Sequence, residues 1–151
     1  MDSEKPRATS RDGPAVSATP SSNSMLHWHG DGTLLVVDDD AGVRELMSSL
    51  LQRCGFTVLT AGDGQTALDT FRRLADEIRV VILDFGLPDT TGEALLHSMR
   101  RIRAELRAIL CSGYLTDNDR DLRVTGDWSA IIEKPFGLIP FLQTVQKVLE
   151  A

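Results

Sequence analysis

The sequence predicts an α/β fold, a doubly wound parallel sheet of five strands with helices on both faces. Three observations predict it: short apolar runs recur along the chain, segments of helical period separate them, and the two alternate strictly from Thr33 onward. A continuous apolar run suits a strand covered on both faces, and strands alternating with helices feed a parallel sheet through right-handed crossovers. At 151 residues the chain suits one such domain, with a core that needs no disulfide or metal.

Residues 1–32 are rich in Ser, Thr, Pro, Ala and Asp and show no apolar periodicity before Leu26, His27 and Trp28, so a disordered leader is expected there. His27 and His29 flank Trp28, but two imidazoles without a neighbouring Cys or carboxylate make a weak metal site. The folded part, 33–151, opens with the strand LLVV at 34–37. Val43, Leu46, Met47, Leu50 and Leu51 then recur at helical spacing. FTVLT at 56–60 alternates apolar and polar residues, as a half-exposed edge strand does. Ala67, Leu68, Phe71 and Leu74 mark a second helix, with Asp63 placed to cap its N-terminus.

The third strand is VVIL at 80–83. After it, Thr90 is expected to cap a third helix, with Glu93 three residues on completing a capping box. AILC at 108–111 and AII at 130–132 supply the remaining strands. Between them, 115–128 carries Asp117, Asp119, Asp121 and Asp127 but few apolar anchors, which predicts a short, weakly docked helix. Leu138, Phe141, Leu142, Val145, Val148 and Leu149 mark the last helix.

Charge and cysteine content exclude several functions. With 22 acidic and 16 basic residues the net charge is −6, which disfavours non-specific attraction to nucleic acid or anionic membrane and favours a metal cation as ligand. Cys54 and Cys111 form no CxxC pair, and free buried thiols in a reducing cytosol are expected. There is no signal-peptide pattern and no run near the roughly 18 apolar residues of a membrane span, so a soluble, cytoplasmic protein is expected.

Ligands of doubly wound sheets bind beyond the carboxyl ends of the strands. Those ends carry Asp38 and Asp39, Asp84, Ser112 and Lys134. Any one alone is an ordinary strand-end turn former. Together they are chemically coherent. Carboxylates facing one crevice repel unless a cation intervenes, and Mg²⁺, held by one or two carboxylates with waters and phosphate oxygens, fits such a set. A carboxylate is also a nucleophile toward phosphorus. Lys134 can neutralise phosphoryl charge, and Ser112 can donate a hydrogen bond to a phosphoryl oxygen.

With LLVVDDD, VVILDFGLPDTTG, LCSGY and IIEKPF, each at a strand end and in order, the chain resembles the receiver (CheY-like) domain of two-component response regulators from about Thr33 to Ala151. The resemblance implies the flavodoxin-like strand order 2-1-3-4-5. It implies Asp84 as phosphoacceptor, with Asp39 as a direct Mg²⁺ ligand, Asp38 acting mainly through water, and the Gly86 backbone carbonyl as a further ligand. Ser112 would be the switch hydroxyl and Lys134 the phosphoryl-binding lysine, its bond to Pro135 cis. A histidine kinase or histidine phosphotransfer protein would be the donor, and a protein of unknown identity the downstream partner. The chain would be a stand-alone receiver, a phosphorelay shuttle, or the terminal receiver of a hybrid kinase whose linker is the leader.

Four positions depart from the family pattern. Ala41 replaces a common Pro, and Thr91 a common acidic residue. Ile131 stands where many receivers carry an inward-turning aromatic ring. Trp128 replaces a small residue and is expected to pack against the fourth helix. Tyr114 is expected to overhang the site and shield it from water.

A haloacid-dehalogenase-type phosphohydrolase is the enzymatic alternative, but that family places a second Asp two residues after the nucleophile, where this chain has Gly86. No substrate turnover is therefore expected. An FMN-binding flavodoxin-like domain is disfavoured by Asp38, Asp39 and Asp40, which would repel the phosphate. DNA binding is disfavoured by the lack of a helix-turn-helix segment or basic face. Asp40 is left to cap the first helix.

Overall fold

The computed structural model describes residues 27–113 and 128–151. Five strands run through it: β1 (Thr33–Val37), β2 (Thr57–Ala61), β3 (Ile78–Asp84), β4 (Arg107–Ser112) and β5 (Ala130–Glu133). Among the described residues four helices accompany them: α1 (Ala41–Arg53), α2 (Gly64–Leu74), α3 (Gly92–Ile102) and α4 (Leu138–Glu150). The sheet order is β2-β1-β3-β4-β5 and every neighbouring pair is parallel, as expected. The leader up to residue 26, the acidic segment from 115 to 127 and Tyr114 lie outside the described residues.

Successive side chains of a strand point to opposite faces, and both faces of this sheet are covered. Leu34, Val36, Val80, Ile82 and Ile109 pack with Met47 and Leu51 of α1 and Phe141 and Val145 of α4. Leu35, Val37, Val81, Leu83 and Leu110 pack with Phe71 of α2 and Leu95 and Met99 of α3. The inner strands therefore have no solvated side, which is why they read as unbroken apolar runs. In β2, Thr57 and Thr60 are exposed, as befits the edge. Cys54 and Cys111 are buried free thiols, both pushed up by burial, Cys111 to about 12.

The helix ends follow local chemistry with one correction. The Asp40 side chain accepts from Gly42 N and Val43 N, and Asp63 accepts from Thr66 N, both as expected. At α3 the cap is Thr91, whose Oγ1 accepts from Ala94 N at 3.0 Å. Thr90 is not the cap because its carbonyl closes the preceding turn, accepting from Leu87 N at 3.0 Å. Leu46 and Leu138, counted with the buried stripes of their helices, are each 44% exposed because they fall at the edge of the packed arc.

Residues before Thr33 also contact the folded domain. The Trp28 ring lies 5.5 Å from the Phe56 ring at a tilt of 59°. Gly30 N donates to Cys54 O at 2.7 Å, and Arg79 Nη1 donates to Asp31 O at 2.7 Å. Composition cannot reveal this docking, because the partners lie far along the chain. Trp128 is buried against the cluster of β3, β4 and α3, and its Nε1 has no hydrogen-bond partner among the described residues. No helix among the described residues is long and apolar enough to cross a membrane.

Candidate functional site

Sheet register brings the strand ends together. Val37 pairs with Leu83, so Asp38 and Asp84 follow at one level on adjacent central strands. Asp84 pairs with Cys111 and Ser112 with Glu133, so Ser112 and Lys134 stand one step further on. Asp38, Asp84 and Ser112 are all buried, while Asp39 is exposed.

The two buried carboxylates, Asp38 and Asp84, each accept from a nearby backbone amide. Asp38 Oδ1 accepts from Asp40 N at 2.9 Å, and Asp38 N donates to Ala61 O at 3.1 Å. Arg44, one turn into α1, donates from Nη1 to Asp38 O at 2.6 Å. Asp84 Oδ1 accepts from Phe85 N at 3.0 Å. Oxygens of Asp38, Asp39 and Asp84 all lie within 4.8 Å of one another.

Lys134 reaches back into this cluster from the end of β5. Its Nζ lies 2.5 Å from Asp38 Oδ2 and 3.3 Å from Asp84 Oδ1. Lys134 N donates to Ser112 O at 2.8 Å, which ties the main chain after β5 to the end of β4. The Lys134–Pro135 bond is cis, as expected. Phe136 then stacks on Phe141 with centroids 5.0 Å apart, pinning the turn into α4.

Burial, followed by the adjacent charge of Asp38, pushes the Asp84 carboxyl up to about 6, and Lys134 works against both. For Lys134, burial favours the neutral amine, but the hydrogen bond to Asp38 and the charges of Asp38 and Asp84 outweigh it and the value is raised. Near neutral pH both groups are charged. Three carboxylates facing one ammonium leave an excess of negative charge in a partly desolvated place.

The loop 85–91 follows Asp84 and contains Gly86, which is exposed. Gly92 N donates to Phe85 O at 2.8 Å, and Gly86 bridges to Thr91. Gly92 must be glycine, since a Cβ there would sit 2.3 Å from Asp84 O. Two residues that shape the site had no sequence signal pointing to them. Arg44 reads as an ordinary helix-surface charge, and Asp89, in the same loop, reads as an ordinary turn former although it bonds to α2.

Fold and site together define an α/β domain with an aspartate-centred acidic site at the carboxyl edge of its sheet. Residues 34–146 match the family model of the response regulator receiver domain, and the chain belongs to that family. It is thus a receiver domain of two-component signalling. It is similar to the sensor kinase CckA of Brucella abortus, at 30% identity over 92% of this chain and 15% of that protein. It is also similar to the probable transcriptional regulatory protein TcrX of Mycobacterium tuberculosis, at 35% identity over 70% of this chain and 44% of that protein. The chain therefore spans less than half the length of either relative. Among solved structures, the chemotaxis protein CheY4 of Vibrio cholerae superposes with a TM-score of 0.73 at 25% identity, covering 80% of this chain and 100% of that one. The response regulator TrrA of Thermotoga maritima, in complex with Mg²⁺ and BeF, superposes with a TM-score of 0.69 at 28% identity, covering 78% of this chain and 99% of that one.

Proposed function

We propose that this chain accepts a phosphoryl group on Asp84 from the phosphohistidine of a histidine kinase or histidine phosphotransfer protein, and that the modification switches a protein-interaction surface. The observation that carries the reading is the buried Asp84 carboxylate held between Lys134 and the acidic pair of β1. A carboxylate oxygen of Asp84 attacks phosphorus in line, the new O–P bond forms as the histidine N–P bond breaks, and the imidazole leaves. Lys134, kept protonated by its carboxylate partners, supplies fixed positive charge to the transferring group. Ser112, buried at the end of β4, is the hydroxyl that follows the phosphoryl oxygen in the modified state.

The donor set fits Mg²⁺. It consists of hard oxygen ligands only, gathered within 4.8 Å of one another, and Mg²⁺ takes oxygen ligands at bonds of about 2.1 Å. Asp39 and Asp84 would bind directly, Asp38 mainly through water, and the Gly86 carbonyl would complete the protein ligands. The bound ion supplies neutralisation of charge on the phosphoryl oxygens. The Thermotoga relative is itself in complex with Mg²⁺ and BeF, which supports this reading.

The protein is a stoichiometric acceptor. The residue two positions beyond Asp84 is Gly86, which offers no carboxylic acid to protonate a leaving group, so repeated ester hydrolysis is not expected. The match to the Brucella sensor kinase covers 92% of the chain and so reaches back into the segment before Thr33, which favours a receiver of a hybrid kinase over the other arrangements. The acidic net charge favours a protein partner over nucleic acid, and the cytoplasm is the compartment where both donor and Mg²⁺ are available.

The test is intact-mass analysis with a small phosphodonor and Mg²⁺. One hydroxylamine-labile phosphoryl adduct on the wild type, and none on Asp84→Asn, is expected. Continuous release of phosphate from many esters would instead make the chain a hydrolase.

A further inference from the structure

The loop that follows the phosphoacceptor strand is anchored at its far end to a different helix. Asp89 Oδ1 accepts from Gly64 N at 2.8 Å, and its Oδ2 accepts from Gln65 N at 3.0 Å. Those are the first two amides of α2, which have no partner within the helix. The helix already owns a cap in Asp63, which serves Thr66 N at 2.7 Å. Asp89 is a second cap that belongs to another part of the chain.

Close packing reinforces the contact. A Cβ on Gly64 would lie 2.4 Å from Thr90 Cγ2 and 3.2 Å from Asp89 Oδ1, so a glycine is what lets the loop approach. At its base the loop is closed by the bond from Gly92 N to Phe85 O and by the bridge between Gly86 and Thr91. Around Gly86 the space a side chain would take is open: among the described residues no atom beyond its chain neighbours lies within 4 Å of where its Cβ would be. Its place is set by the base of the loop on one side and by Asp89 on the other. The two amide bonds, that from Gly64 first, hold the Asp89 carboxyl below the ordinary carboxylate range, so the anchor is charged at neutral pH.

We propose that Asp89 is a positioning residue for the cation site: its carboxylate clamps the tip of loop 85–91 to the N-terminus of α2 and thereby fixes where Gly86 presents its backbone carbonyl. The inference rests on the reading in which Gly86 and Asp84 share a Mg²⁺ ion. Without the clamp, the loop keeps the bond from Gly92 N to Phe85 O, but the bridge between Gly86 and Thr91 loosens, Gly86 samples more positions, and Mg²⁺ binding bears that ordering cost. The same clamp places any movement of α2 in register with the phosphoacceptor loop.

The experiment compares wild type, Asp89→Ala, Asp89→Asn and Asp63→Ala, since the last removes a cap from the same helix without touching the loop. Two quantities are read by NMR on the full chain: amide exchange at Gly64 and Gln65 without metal, and the dissociation constant for Mg²⁺ alone from amide shifts. Asp89→Ala is expected to lose protection at both amides and to weaken Mg²⁺ binding about tenfold, the lower end of what residues behind metal ligands contribute. Asp89→Asn, which keeps one acceptor oxygen, is expected to fall between. Asp63→Ala is expected to lower the melting temperature and leave Mg²⁺ affinity at the wild-type value.

Equal Mg²⁺ affinity in Asp89→Ala and wild type overturns the clamp, and so does an equal loss in Asp63→Ala, which would make Asp89 a helix cap only. A wild type that binds no Mg²⁺ sinks the phosphoacceptor reading and the clamp together. A wild type that binds Mg²⁺ while the variant curves coincide with it sinks the clamp alone.

Discussion

Lys134 Nζ lies 2.5 Å from Asp38 Oδ2, a pair separated by 96 residues of sequence and by two intervening strands of the sheet. Asp38 is fully buried and the Lys134 side chain is 18% exposed, so the bond lies largely out of water. The pair joins the first strand end to the last, with Asp84 between them.

Removing the ammonium leaves that buried carboxylate facing two others. Lys134→Met is therefore expected to destabilise the metal-free protein by about 3 kcal/mol, the usual cost of breaking a buried pair. Urea denaturation measures it, and added Mg²⁺ should recover part of the loss. A change below about 0.5 kcal/mol, the range of neutral surface substitutions, would mean that Asp38 does not depend on Lys134.

Asp84→Asn should do the opposite in the absence of metal. The Asp84 carboxyl is raised to about 6 by burial and then by Asp38, so the folded state holds its proton more tightly than the unfolded chain does. Between about pH 4 and pH 6 the folded state binds more protons, and stability falls as pH rises through that window. Asn carries no charge and escapes the loss. Above pH 7 Asp84→Asn is expected to be more stable than wild type by about 1–2 kcal/mol after discounting for solvent screening, with the advantage gone below pH 4. Denaturation curves across pH decide it; a pH-independent difference would contradict the origin assigned to the shift.

Mg²⁺ should relieve the same repulsion. At ten times its dissociation constant it is expected to stabilise the wild type by about 1.4 kcal/mol, which a thermal melt reads as roughly 5 °C and a chelator reverses. Asp39→Ala should abolish both that shift and phosphoryl uptake. Asp40→Ser keeps a helix-capping oxygen and should retain both; the reverse order would overturn the division of labour among the three aspartates.

Trp28→Ala tests the docked segment before β1. Losing the contact with Phe56 is expected to cost about 1–2 kcal/mol, as for a half-buried aromatic pair. Gly30→Ala should cost a similar amount, because its Cβ would fall 2.0 Å from Phe56 Cζ. If neither variant shifts the urea midpoint, the segment contributes nothing to stability.

The cap of α3 separates two neighbouring threonines. Thr91→Ala should cost about 1 kcal/mol through the lost bond to Ala94 N, and Thr90→Ala distinctly less. Equal losses in thermal melts would return the cap to Thr90.

Much of the fold and site was legible because the signals are local. Inner strands covered on both faces must be continuously apolar, and an edge strand such as β2 must alternate. A helix start shows itself in a residue such as Asp40 or Asp63, whose side chain reaches amides only two or three positions away. The candidate site residues stood out for a related reason: polar groups that end apolar strands are conspicuous, and Asp38, Asp84 and Ser112 each break such a run, while Lys134 stands one residue beyond the end of another strand, β5. Where two candidates sat side by side, as Thr90 and Thr91 do, the choice turned on which carbonyl closed the preceding turn.

The sequence by itself determined the α/β class, the alternation of elements and the residue types delivered to the carboxyl edge of the sheet, because periodicity and capping act within a few residues. Only the tertiary structure decided which groups meet. Trp28 finds Phe56, Arg44 bonds the backbone of Asp38, Asp89 clamps α2, and Lys134 chooses Asp38 more closely than Asp84. Contacts of this kind depend on sheet order and register, and apart from the short reach of Arg44 they span too much chain to leave a mark in any local stretch of sequence.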